Sequence, residues 1–348
     1  MSLIMFEGFE GIYSTWLGND KHWIRGGYGT TIPGIGRRSG YCLRMYANPA
    51  PYYVTYTLDD IQTSLVLGFA LNPTSGGVAT TWFMSFYNAT PTMQFCIDLT
   101  TAGRLRIKDA AAGSVLAESA DGAITFDIYQ YVEIKFTCDG TDAIQVRVNG
   151  IDVIPITGTI NLMNAGSGNV KKISFAGHRT DVTGKYRLHY DDMYLLNTSG
   201  LTFNNFLGDV KVDPFYPTSD GDYTQFDVDA GTDHWDAIDN IADDATDHYV
   251  EADTVGYKDS YYVTPTGDLP TILAVGIRAL TRNSDAGVAE GTPFIRMDGV
   301  DYDQTPFEVG DTVEMTQTII LRRPDTDGVW SKTIIESSQF GWEFSTAS

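Results

Sequence analysis

The sequence predicts an all-β protein built as two sandwich domains in series. Three observations predict it. Short runs of alternating polar and apolar residues recur between Gly, Asn, Asp and Pro turn signals. Gly (35), Tyr (20) and Phe (17) are abundant, while the long Ala/Glu/Lys/Leu runs of helical proteins are missing. At 348 residues the chain also exceeds the usual size of a single domain.

Strand character is read at 41–46, 52–56, 64–71, 81–87, 93–99, 104–108, 131–137, 143–148, 170–176 and 187–196. Between these runs lie Asn72-Pro73, Gly76-Gly77, Ala102-Gly103, Ala112-Gly113 and Asp121-Gly122. The clearest meander runs from Glu133 to Val153. Ile134 and Phe136 alternate with Glu133 and Lys135, and Ile144, Val146 and Val148 with Gln145 and Arg147, so one face enters a core. Asp139-Gly140 and Asn149-Gly150 supply the positive φ of tight hairpin turns. Beyond about residue 200 the composition shifts. From Asp209 to Asp259 there are fourteen Asp and one Glu against Lys211 and Lys258. Strand runs resume at 260–263, 271–280, 294–297, 312–322 and 339–344, and a helical turn is expected near Ser331, where Thr333 and Glu336 have capping-box spacing. The expected domains are 1–203 and a smaller β-sandwich with Asp-rich loops at 204–348.

Charge narrows the function. The net charge of −22 repels phosphate backbones, and the densest basic cluster, Arg37-Arg38 with Arg44, is too small to reverse it, so nucleic acid and anionic membrane are not expected partners. No apolar run reaches the ~20 residues of a membrane span. The N-terminus lacks a basic start and long apolar core, which predicts a chain that folds in the cytoplasm where it is made, or travels outside as part of something larger. Cys42, Cys96 and Cys138 sit in strand-like runs without CxxC spacing and are read as buried free thiols.

The first 200 residues resemble the concanavalin A-like, laminin-G-like jelly roll. The likeness rests on Gly36-Arg37-Arg38-Ser39-Gly40 leading into a strand, the hairpin ending at Asn149-Gly150, and the late Lys185–Leu196 strand with Asp191-Asp192. A second resemblance, to virion proteins of tailed bacteriophages, rests on Phe6-Glu7-Gly8-Phe9, the Asp191–Gly200 stretch, Asn205–Gly221 and the tail from Trp330 to Phe340-Gly341-Trp342-Glu343. It implies a structural component of tail, fibre or capsid-decoration type, assembled in the host cytoplasm with other virion proteins. It further implies a homo-oligomer, with trimers common in such proteins, and contact with host surface glycans. The alternative is a free carbohydrate-binding or glycan-degrading protein.

Catalytic patterns are sought and not found in the sequence. The nearest approach to the paired carboxylates of retaining hydrolases is Glu251-Ala252-Asp253, where position 256 is Gly. There is no GxSxG, HExxH or GxxxxGK[ST], and Gly34–Gly40 feeds a strand instead of a helix. The chain is therefore expected not to be an enzyme. The candidate Ca²⁺ ligands are Asp191 and Asp192, and the alternating Asp227, Asp229 and Asp233, whose spacing departs from an EF-hand. Candidate sugar-stacking rings are Trp16, Trp23, Tyr52 and Tyr53, with Tyr28 and Tyr87 in the same loop-rich regions.

Overall fold

The structure is a computed structural model that describes residues 3–10, 22–26, 30–32, 34–38, 40–47, 53–75, 80–109, 113–158, 160–163, 168–179, 186–229, 231, 233–238, 248–284 and 287–347. The chain is all-β, with 52% strand and 2% helix, and its first part is a jelly-roll sandwich. It divides into two compact units, the first ending at Asp213 and the second running from Pro214. The junction falls ten residues beyond the 203/204 expected from composition, because the segment after Phe203 is fastened to the first unit by side chains.

Among the described residues the first unit holds fifteen strands: β1 (Leu3–Glu7), β2 (Trp23–Gly26), β3 (Thr30–Ile32), β4 (Cys42–Ala47), β5 (Tyr53–Gln62), β6 (Ser64–Pro73), β7 (Thr81–Tyr87), β8 (Met93–Leu99), β9 (Leu105–Lys108), β10 (Val115–Glu118), β11 (Gln130–Thr137), β12 (Ala143–Val148), β13 (Ile151–Ile154), β14 (Val170–Arg179) and β15 (Tyr186–Asn197). One sheet has the order β13-β12-β11-β6-β15-β4-β3, with β1 also on β15, and is eight-stranded. The other is seven-stranded, in the order β10-β9-β8-β7-β14-β5-β2. Every pairing is antiparallel and most neighbours are distant in sequence, so the sandwich is closed by crossovers and not by simple hairpins.

Aromatic rings lock the two sheets face to face. Phe136 of β11 meets Phe86 of β7 and Phe95 of β8, each with ring centroids 5.0 Å apart. Phe175 of β14 meets Tyr190 of β15 edge-on at 5.5 Å, and the Tyr190 hydroxyl donates to the Phe83 carbonyl at 2.7 Å. Each such ring gives about 1.5–3 kcal/mol by leaving water, and each well-posed pair adds about 0.5–1.5 kcal/mol. The Asn149-Gly150 turn is as expected. Both residues have positive φ (50° and 79°), and Val148 pairs directly with Ile151 across them. The three thiols are buried, and burial pushes each up to about 12.

The second unit contains β16 (Pro217–Thr224), β17 (Asp227–Val228), β18 (Val250–Glu251), β19 (Lys258–Val263), β20 (Val275–Thr281), β21 (Ala289–Met297), β22 (Val300–Asp303), β23 (Phe307–Val309), β24 (Glu314–Ile320), α1 (Lys332–Ser337) and β25 (Gln339–Ala347). A six-stranded sheet runs β16-β19-β25-β21-β22, with β23 also on β21, and β20 and β24 form a separate ribbon. Ile277 and Ile320 from that ribbon, with Trp330 and Ile335, pack on Ile295, Met297, Phe340 and Trp342 of the sheet. The helix starts where expected, but its cap is Ser331, whose hydroxyl accepts the Ile334 N–H at 3.4 Å. No described helix is long and apolar enough to cross a membrane.

Candidate functional site

The acidic residues singled out in the sequence belong to the framework. Asp191 and Asp192 stand at the bulge of β15, 3% and 4% exposed, and Asp192 takes the left-handed conformation at φ 47°. The two Asp191 carboxylate oxygens accept the backbone N–H groups of Arg37 (2.7 Å) and Asp192 (2.8 Å). Asp192 accepts the Val212 N–H at 2.9 Å with one oxygen and the Arg37 guanidinium at 3.3 Å with the other. Arg37 also forks onto Asp209 and lies over the Tyr131 ring, 5.4 Å from its centroid. The cation beside Asp192 is an arginine, contributed from 155 residues away. All four oxygens of the pair have donors. Burial and the Asp192 charge push Asp191 up to about 7. Burial also raises Asp192, against the Val212 N–H and the Arg37 charge.

The same clasp fastens the stretch before the second unit. Glu133, 1% exposed, accepts the Tyr194 hydroxyl at 2.6 Å and the Gly208 N–H at 2.8 Å, and the Leu207 N–H donates to the Tyr194 oxygen. Phe206 lies under the Arg147 guanidinium at 4.3 Å. Beneath this strap Tyr131 and Tyr194 stack across Gly68, where a Cβ would stand 2.2 Å from the Tyr194 ring. Two stretches of the virion-protein resemblance, the one with the Asp pair and the 205–212 strap, are thus joined through Asp192 and Val212, and Glu7 of β1 pairs with Met193 beside the pair.

Asp227, Asp229 and Asp233 are all exposed. Asp227 pairs with Glu251 across β17 and β18, and Asp229 accepts the Tyr249 N–H at 3.1 Å. The loop around them is held instead by Asp220, which accepts the Trp235 N–H at 2.7 Å, and by the fully buried Asp259. Asp259 accepts from the Gln225 and Phe226 N–H groups, the Tyr261 hydroxyl and His234 Nδ1 at 2.6–2.9 Å. Among the described residues no group of three or more His, Cys, Asp or Glu could hold a metal.

The four ring candidates separate. Trp16 and Tyr52 lie outside the described residues, as does Tyr28. Trp23 is a core residue at 2% exposure, wedged against Phe9, Tyr56 and Phe175, so it presents no face to a ligand. Its strand, β2, has only four residues and gave too short a pattern to separate from loop. Tyr53 is 39% exposed and points away from the core.

Tyr53 belongs to a polar surface on the outward face of the seven-stranded sheet. Directly paired residues share a face, so the register defines its rows. One row crosses β5, β14 and β7 as Thr57, Lys172 and Tyr87. At its end Gln94 of β8 fills the bulge opposite Tyr87. The next row is Ile24, Thr55, Ser174, Ser85, Cys96 and Lys108. A third carries Trp82, Asp98 and Arg106. Burial raises the Tyr87 phenol, with the Ser85 hydroxyl acting the other way and Cys96 and Tyr53 among its neighbours, so the two tyrosines sit near each other across β14. Thr55 donates to Ser174 at 3.2 Å. Gln94, 0% exposed, leaves Oε1 without a hydrogen-bond partner, and Thr57 Oγ1 is likewise buried and unpartnered. The carboxylate in these rows, Asp98, is fully buried and held by both arms of Arg106 at 2.8 Å.

No family model and no curated protein matches the chain. Solved structures similar to it include a sialidase (TM-score 0.42, 14% identity, over 57% of this chain and 19% of that one). The "Cellulose induced protein, Cip1" aligns at TM-score 0.42 and 11% identity, over 59% of this chain and 100% of that one. The Emp47p carbohydrate recognition domain aligns at TM-score 0.34 and 10% identity, over 51% and 89%. The chain thus spans about a fifth of the sialidase's length.

Proposed function

We propose that the chain is a saccharide-binding protein and that the outward face of the seven-stranded sheet is its binding surface. One observation carries this reading: Tyr53 and Tyr87, hydroxyls from Thr55, Thr57, Ser85 and Ser174, and the amide of Gln94 share one sheet face. Rings offer flat apolar contact to a pyranose, and fixed hydroxyls and amides select its orientation. The reading is binding without catalysis: in these rows Asp98 is held by both arms of Arg106, and burial pushes the Cys96 thiol up to about 12.

The test is a glycan array probed with the whole chain, beside Tyr87→Ala and Tyr53→Ala. Binding that falls at least tenfold in both variants is expected. A wild-type chain that binds no glycan overturns the reading.

For the setting we propose the virion, as a homo-oligomeric component assembled in the host cytoplasm. The supporting observation is that two of the stretches carrying the resemblance, 191–200 and 205–221, are joined by the Val212 N–H bond to Asp192. Mass spectrometry of purified particles tests it, and absence of the chain from them removes it.

A further inference from the structure

We infer that Trp82 is a further stacking residue of this face and that the saccharide bound there is a linear oligosaccharide longer than a disaccharide; the inference rests on the binding reading above. Trp82 stands on β7, the strand that also carries Tyr87. It pairs with Asp98 of β8, which pairs in turn with Arg106 of β9, so the three share the outward face. Trp82 and Tyr87 are both half-buried and not closed to water. Among the described residues Trp82 is the one tryptophan on this face. Trp23 lies in the core of the sandwich, and Trp235, Trp330 and Trp342 belong to the second unit.

The spacing of the rings sets the length of the ligand. Trp82 and Tyr87 stand near opposite ends of β7, and at about 3.3 Å per residue, less the bulge between Trp82 and Met84, their Cα atoms lie roughly 13–16 Å apart. Tyr53, the most exposed of the three rings, takes the same end of the face as Trp82. It pairs with Ala176, beside the bulge that brings His178 opposite Trp82, so β14 separates the two rings by two strand intervals, about 10 Å. Between Trp82 and Tyr87 the outward position of β7 is Ser85, and Ser174 and Thr55 continue its row, so small side chains lie along the line that joins the two ends. A single pyranose is no larger than one tyrosine ring and reaches one end only. A chain laid along β7 reaches both. What Trp82 offers it is ring area, because Asp98 and Arg106 beyond it hold each other by two hydrogen bonds at 2.8 Å. Large rigid rings of this kind carry much of the energy at binding surfaces.

The probe is the size series, from monosaccharide to hexasaccharide, of the linear glycan that binds best on the array. Affinities are measured by calorimetry for the whole chain, Trp82→Ala and Trp82→Phe. The expected result is a gain of about tenfold from disaccharide to tetrasaccharide that flattens beyond it. Trp82→Ala should remove that gain and leave the disaccharide affinity unchanged, while Trp82→Phe keeps most of it. Where Trp82→Ala does not fold, tryptophan fluorescence carries the test: the hexasaccharide should change it in the wild-type chain and not in Trp82→Phe. Equal affinity for disaccharide and hexasaccharide, or an array that binds only short or branched glycans, overturns the inference while leaving the binding surface standing. A length gain that survives in Trp82→Ala, or a fluorescence change that survives in Trp82→Phe, overturns the role of Trp82. An array with no bound glycan overturns the saccharide reading itself.

Discussion

Replacing Arg37 by Met should destabilise the first unit by about 3–5 kcal/mol at pH 8, because it strands a buried carboxylate. The size follows from what Arg37 touches. Asp192 is 4% exposed and receives the guanidinium at 3.3 Å. Without it, the Val212 N–H alone remains on its side chain. The Asp209 side chain is 51% exposed, so its fork adds only about 0–1 kcal/mol. Lost contact with the Tyr131 ring adds about 0.5–1 kcal/mol. Asp192 can escape by taking up a proton, and burial already raises its pKa. The deficit should therefore shrink from pH 8 to pH 5. Asp192→Asn keeps the left-handed backbone that Asn tolerates, so the double variant should be more stable than Arg37→Met alone. Hydrogen exchange of β15 in increasing urea reports this unit separately from the other. A loss below about 1 kcal/mol at pH 8, or one independent of pH, would refute the account of the clasp.

Other outcomes follow from the same contacts. Asp191 has a folded pKa near 7 against 3.8 for the unfolded group, so its contribution is fully present below pH 3.8 and lost as pH rises through 7. The whole span is on the order of 4 kcal/mol, read as a fall in urea midpoint between pH 5 and pH 8 that Asp191→Asn should flatten. Phe136→Ala removes the ring that packs edge-on against the stacked Phe86 and Phe95 and should cost about 3–5 kcal/mol in denaturant titrations. Asp259→Ala frees four donors that hold the 225–234 loop, and limited proteolysis should then cut that loop while the first unit stays intact.

Much of the sandwich could be read from local pattern. β7, β8 and β12 begin and end where alternation places them, because each has one face in a continuous core. The 204–213 strap could not be read. It makes no strand, and its anchors Glu133 and Asp192 are set by topology, 75 residues before Gly208 and 20 before Val212. The Asp191-Asp192 pair looked like an ion site for the same reason: two adjacent carboxylates announce a cation, but nothing nearby says that the cation is Arg37. Tyr53 and Tyr87 were visible as exposed-type aromatics, yet they lie on β5 and β7, which meet only through β14. Lys172, Gln94 and Thr57 gave no signal at all. Each follows ordinary strand alternation, and only the register across the sheet lines them up.

The central claim, a saccharide surface on the seven-stranded sheet, is tested most directly by the footprint of a bound oligosaccharide. Hydrogen exchange of the whole chain would be measured with and without the best ligand from the array. The account predicts slowed exchange confined to β5, β7, β8 and β14, and no such footprint in a Tyr53→Ala/Tyr87→Ala variant of unchanged stability. Protection on the eight-stranded sheet or in the second unit, with those four strands unaffected, would contradict it.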